Sequence, residues 1–149
     1  GRFSESETLA VSITKEFPRH QFGWKALGAV YGQTGRIGDS LFPNKMSVQL
    51  APQDAQAHYN LGITLRELER LGEAETSYKK VIVLEPNHAE AHYNFGITLK
   101  ELGRLEEAVV SYNKATAMKP DYAETHDNLG ITLKAQGRLE EAEALYKEL

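Results

Sequence analysis

AEAHYNFGITLKELGRLEEAVVSYNKATAMKPDY, residues 89 to 122, is the pattern that the rest of the chain copies. The same apolar and small residues return 34 positions earlier and 34 positions later. Ala91-His92-Tyr93-Asn94-Phe95-Gly96-Ile97-Thr98-Leu99 has one counterpart in Ala57-His58-Tyr59-Asn60-Leu61-Gly62-Ile63-Thr64-Leu65 and another in Thr125-His126-Asp127-Asn128-Leu129-Gly130-Ile131-Thr132-Leu133. Self-similarity at a fixed period of this size marks a stack of like supersecondary units, and it decides the fold ahead of any single-residue motif.

Units of this kind contact only their neighbours, so the 149 residues read as one elongated stack and a single domain. Cysteine is absent, which removes disulfides, thiolate metal sites and cysteine nucleophiles. The net charge is -4, and acids and bases alternate along the helical faces, which argues against a nucleic-acid partner held by phosphate contacts. The longest aliphatic run, Val81 to Leu84, is far too short to span a bilayer, and no charged-then-apolar leader opens the chain. No membrane association and a cytoplasmic location are expected, although Gly1 is not a start methionine and the native N-terminus need not be present.

Outward from the central unit, Gly1-Arg2-Phe3 matches Gly35-Arg36-Ile37, Gly103-Arg104-Leu105 and Gly137-Arg138-Leu139, so the chain opens in mid-repeat. Residues 1–20 are then a half repeat, whose one helix runs roughly from Ser4 to Glu16 and ends before Pro18. Residues 21–54, 55–88 and 89–122 are full repeats, and 123–149 is a truncated one. In 21–54 the second helix looks poor: Ser40, Asn44 and Ser47 stand where the next units have Ala, Tyr and Val or Ala, and Pro43 lies inside it. A proline in a helix interior costs about 3 kcal/mol, so this helix is expected to be bent or to start late with Pro43 in its first turn. Pro52, Pro86 and Pro120 precede the later units, and Asn87-x-x-Glu90 and Asp121-x-x-Glu124 read as capping boxes. Gly35, Gly103 and Gly137 suit left-handed C-caps, with Glu69 in that place in the second unit. Ala74, Ala108 and Ala142 mark the closest approach of paired helices, with Tyr78, Tyr112 and Tyr146 beside them.

Trp24-Lys25-Ala26-Leu27-Gly28-Ala29-Val30-Tyr31 fits W-x2-L-G-x2-Y, a first-helix signature in which Trp24, Leu27 and Tyr31 share one face and Gly28 admits the partner helix. With that signature, the Ala-x3-Tyr pairs and the three prolines, the chain resembles a tetratricopeptide repeat protein over nearly its full length. AHYNLGITL and ELGRLEEA are similar, more narrowly, to bacterial arrays of this family and to the repeat region of O-GlcNAc-transferase-like enzymes. The resemblance implies an all-α fold of about nine helices. These would form antiparallel pairs stacked in a right-handed superhelix, with first helices lining a concave face that binds peptides or partner proteins.

On that fold the groove is expected to carry Asn60, Asn94 and Asn128, flanked by Arg66, Lys100 and Lys134, with Tyr59, Tyr93 and Asp127 beside the asparagines and Lys25 in the first unit. First helices about 10 Å apart would place one asparagine at every third residue of an extended peptide. A side-chain amide both donates and accepts, so it can hold a peptide backbone whatever its side chains. This is similar to the asparagine ladder of O-GlcNAc transferases, from which the first unit departs with Ala26. The two-carboxylate clamp of chaperone-binding members is not matched: Lys25 and Asn60 fit, but Ala29, Glu90 and Asn94 replace the other three residues.

Site chemistry of other kinds finds little support. His58, His92 and His126 recur once per unit, a whole layer apart and beyond the roughly 2 Å bonding reach of one zinc ion, and are expected to pack between helices. His88-Ala89-Glu90-Ala91-His92 lacks the glutamate spacing of H-E-x-x-H. Glu106-Glu107 and Glu140-Glu141 fit solvated helix starts, and no phosphate loop, nucleophile elbow or triad order appears. The expected function is a non-enzymatic interaction scaffold without cofactor or metal. One alternative is the substrate-selecting arm of a larger transferase. The other is a structural protein that self-associates through its terminal helices, using Leu145, Tyr146 and Leu149.

Overall fold

Each unit of the sequence pattern becomes a pair of helices. The computed structural model describes residues 1–147, which form nine α-helices and no strand. They are α1 (Arg2–Glu16), α2 (Gln21–Gln33), α3 (Ile37–Leu50), α4 (Ala55–Glu67), α5 (Leu71–Leu84), α6 (Ala89–Glu101), α7 (Leu105–Met118), α8 (Ala123–Ala135) and α9 (Leu139–Lys147). Two compact units result, α1 to α5 within Gly1–Leu84 and α6 to α9 from Glu85 onward. Inside each unit every helix packs on the next in sequence, and the connecting turns are too short for anything but antiparallel neighbours. α2 also touches α4, and α6 touches α8, so first helices lie side by side as in stacked hairpins.

Small residues set the spacing within a pair. Ala74, Ala108 and Ala142 are fully buried, as are the Tyr78 and Tyr112 rings. A Cβ on Gly62 would lie 2.8 Å from Tyr78 Cε1, and one on Gly96 would lie 2.6 Å from Tyr112 Cε1. The glycine of the first helix is therefore the seat of the tyrosine of the second. In the last pair Tyr146 lies over Gly130 in the same way. The turns between paired helices close through a residue at positive φ: 74° at Gly35, 77° at Gly103 and 75° at Gly137. Glu69 takes the same conformation with φ 58°, as its place in the repeat requires.

Position 24 and its equivalents tie the first helix of a pair to the turn that precedes it. Trp24 Nε1 donates to the Pro18 carbonyl at 2.9 Å. The Nε2 atoms of His58, His92 and His126 reach the carbonyls of Pro52, Pro86 and Pro120 at 2.9, 2.9 and 2.7 Å. A carbonyl only accepts, so each Nε2 carries the proton. This explains how tryptophan and histidine share one place in the repeat: both offer a ring N–H at the right reach.

Three local expectations need correction. α3 does not start late; it is continuous from Ile37, with Pro43 inside it and buried. Docking on α4 outweighs the lost backbone bond. Ser40 Oγ lies 2.9 Å from Thr64 Oγ1, Asn44 Nδ2 donates to the same oxygen at 3.0 Å, and the Asp39 carbonyl that Pro43 leaves without a donor belongs to an exposed residue. Neither expected capping box forms. His88, not Asn87, caps α6 by accepting from the Ala91 N–H at 3.2 Å. At α8 the cap residue is Tyr122, without a side-chain bond, so neither Asp121 nor Glu124 closes a box there. α1 begins at Arg2, two residues before the expected Ser4. Leu149 lies outside the described residues.

Candidate interaction face

First-helix residues that do not point at the partner helix carry the polar groups singled out in the sequence, and the two units hold them differently. In the Gly1–Leu84 unit, Lys25 of α2 is engaged rather than free: its Nζ lies 2.6 Å from Asp54 Oδ2. Gln21 Nε2 donates to the same oxygen at 2.7 Å, and Asp54 Oδ1 caps α4 through the Ala57 N–H at 3.1 Å. Burial pushes the Asp54 carboxyl up, but the bonds from Lys25, Gln21 and Ala57 outweigh it and hold it below its ordinary range. The sequence shows Asp54 as an N-cap before α4, but its pairing with Lys25, 29 residues away on α2, comes from the packing.

On α4, Asn60 is half-buried, with its Oδ1 accepting from Gln56 Nε2 at 2.9 Å. Its Nδ2 donates to no group among the described residues. Arg66 reaches Glu67 at 2.8 Å while its buried Nε has no partner. The Tyr59 ring packs edge-on to Tyr78, centroids 6.2 Å apart.

In the unit from Glu85 onward, three of the expected residues, Tyr93, Lys100 and Asn128, form a connected network. Asn128 Oδ1 accepts from Lys100 Nζ at 2.7 Å, and Asn128 Nδ2 donates to Tyr93 Oη at 3.2 Å. Side chains of α6 thus fix the amide of α8. Asn94 and Asn128 also donate to carbonyls one turn back, those of Glu90 and Glu124, both at 3.0 Å. Asn94 and Tyr93 are each only 9 % exposed, so they present edges rather than whole side chains. Tyr93 packs against Tyr122 and Tyr112, with centroids 4.9 and 6.1 Å away. Asp127 is exposed, and exposed Lys134 sits over the Tyr146 ring, Nζ 5.1 Å from its centroid. At the start of α6, Glu90 is held below its ordinary range by its own backbone N–H and by Lys119 at 3.2 Å, against the opposing effect of burial.

The described residues contain no group of three His, Asp or Glu that could hold a metal ion. His92 is buried and bonded to a backbone carbonyl, and burial lowers its basicity. Among the described residues no helix is long and apolar enough to cross a membrane. What the face offers is amides, cations and aromatic edges held in place by neighbours.

Solved structures with the same fold include one of MamA, with a TM-score of 0.94 and 23% identity over 97% of this chain and 85% of that one. A second, MamA 41-end from Desulfovibrio magneticus RS-1, has a TM-score of 0.93 and 18% identity, covering 99% of this chain and 84% of that one. A third, described as "YrrB: a TPR protein with an unusual peptide-binding site", has a TM-score of 0.86 and 20% identity, covering 97% and 74%. No curated protein matches the chain. Family models described as "Tetratricopeptide repeat" match residues 55–88 and 77–110, and one described as "TPR repeat" matches 98–137. These matches run together from 55 to 137, the helix pairs and their glycine–tyrosine seats follow the same period, and the chain belongs to the tetratricopeptide repeat family.

Proposed function

We propose that the chain is a non-enzymatic interaction scaffold whose first-helix face takes an extended peptide or a peptide-like segment of a partner protein. The observation that carries this reading is Asn60: its oxygen is held by Gln56 while both amide hydrogens remain unspent at a half-buried position. An amide oriented in advance and still able to donate suits a peptide carbonyl, because little side-chain freedom is left to lose on binding. Asn128, fixed by Tyr93 and Lys100, is oriented in the same manner, and its Oδ1 retains a lone pair for a peptide N–H. Arg66, Lys100 and Lys134 alongside favour a ligand with acidic side chains. YrrB, described as having an unusual peptide-binding site, supports the class of ligand.

The test is a peptide-array or pull-down comparison of the wild type with an Asn60→Ala, Asn94→Ala, Asn128→Ala variant of unchanged helicity. Loss of most bound peptides is expected. An unchanged bound set would show that the asparagines serve only their own helices and would overturn the reading.

A further inference from the structure

The repeat of residues 21–54 is smaller than its neighbours at three places that converge. Asn44 stands where the other units have Tyr78, Tyr112 and Tyr146; Ala29 stands for Ile63, Ile97 and Ile131; and Gly32 stands for Arg66, Lys100 and Lys134. All three line one hollow of about 220 Å3 between α2, α3 and α4, together with Gly28, Ile37, Asn60, Ile63 and others. That volume is below the roughly 300 Å3 at which small-molecule pockets begin, and several times the roughly 30 Å3 share of one water. It suits a single large side chain.

The hollow has a polar end. Asn44 is 3 % exposed and spends one amide hydrogen on Thr64 Oγ1, while its Oδ1 lies against Gly28 and accepts no hydrogen bond among the described residues. That oxygen borders the open hollow with its lone pairs unused, so a ligand that brings an O–H can donate to it. The walls from Ala29, Ile37 and Ile63 are apolar. In the neighbouring pair, the glycine of the first helix is covered by this chain's own tyrosine, Tyr78 over Gly62.

We propose that this hollow takes a tyrosine side chain of the bound peptide, its ring between Ala29, Ile37 and Ile63 and its phenol O–H donating to Asn44 Oδ1. The ligand then completes the one full repeat that has no ring at the place of Tyr78 and Tyr112. The inference rests on the peptide-binding reading above and adds to it the residue that anchors the peptide.

The hollow can be tested without a peptide, by titrating 15N-labelled protein with 4-methylphenol and, separately, with toluene. Saturable shifts of the Ala29, Gly32, Ile37 and Ile63 amides are expected with 4-methylphenol, and about tenfold weaker binding with toluene, which lacks the O–H. Asn44→Tyr, which fills the space as the other repeats do, should abolish the shifts. Ala29→Ile, which narrows the space and leaves Asn44 in place, should weaken them by about tenfold or more. Absence of saturable shifts, or equal binding to Asn44→Tyr, overturns the hollow as a site; equal binding of toluene overturns the phenol assignment. None of these outcomes bears on peptide capture at Asn94 and Asn128 in the other unit, so the two readings fail separately.

Discussion

The ring N–H of His92 donates to the Pro86 carbonyl from a buried position, which ties one residue to both stability and pH. Burial lowers its pKa, an effect that the bond to Pro86 opposes and that Lys114 and His88 reinforce. The folded chain thus binds fewer protons than the unfolded chain, whose histidines titrate near pH 6.5, and stability falls as the pH drops below about 6.5. His92→Trp retains an N–H, as Trp24 does in its own repeat, and is expected to flatten that part of the pH profile. His92→Phe strands the carbonyl and should cost about 1–3 kcal/mol in urea denaturation. Glu69 carries a different cost. Its φ of 58° is one that L side chains resist by about 1–2 kcal/mol, so Glu69→Gly should raise the melting temperature, whereas Gly103→Ala at φ 77° should lower it.

Within a helix pair, the seat of tyrosine on glycine has no slack. Gly96→Ala would press a methyl against the fully buried Tyr112 ring at 2.6 Å, and a loss of about 1–3 kcal/mol is expected by thermal denaturation. A neutral outcome would mean that α6 and α7 can separate freely. This seat was legible in the sequence, because Gly96 and Tyr112 recur at fixed places and only one packing serves them all. The helix ends were less so. Asn87 and His88 are adjacent residues that can both accept from an exposed amide, and which one caps α6 depends on the turn after Pro86. α3 misled for a related reason: Pro43 counts against a helix locally, while the bonds from Ser40 and Asn44 to Thr64 that hold it come from another element. Those same polar side chains read as poor packing in the sequence. Their functional meaning appears only when Ala29 and Gly32, a helix away, are seen to face the same space.

Over the whole molecule the charge balance is close, and its pH response has one direction. The carboxyls of Asp54, Glu90 and Glu141 are held below their ordinary range, so their contribution is complete at neutral pH and is lost as the pH falls below about 4. With His92 acting in the window above, urea midpoints should fall in two stages from pH 7 to pH 3; a midpoint that rises on acidification would contradict both assignments. Asn60, Asn94 and Asn128 were legible as a periodic row, but their separate states were not. Asn128 is fixed by Tyr93 and Lys100 while Asn60 keeps its amide hydrogens, because the repeat that precedes Asn60 has Lys25 and Gly32 at the places of Tyr93 and Lys100.

The proline carbonyl that meets either an indole or an imidazole also bears on how such a chain lengthens. Because each of these first helices is tied to the turn before it by the same backbone acceptor, and that acceptor tolerates two donors, a 34-residue cassette inserted at the proline would carry its own tie with it.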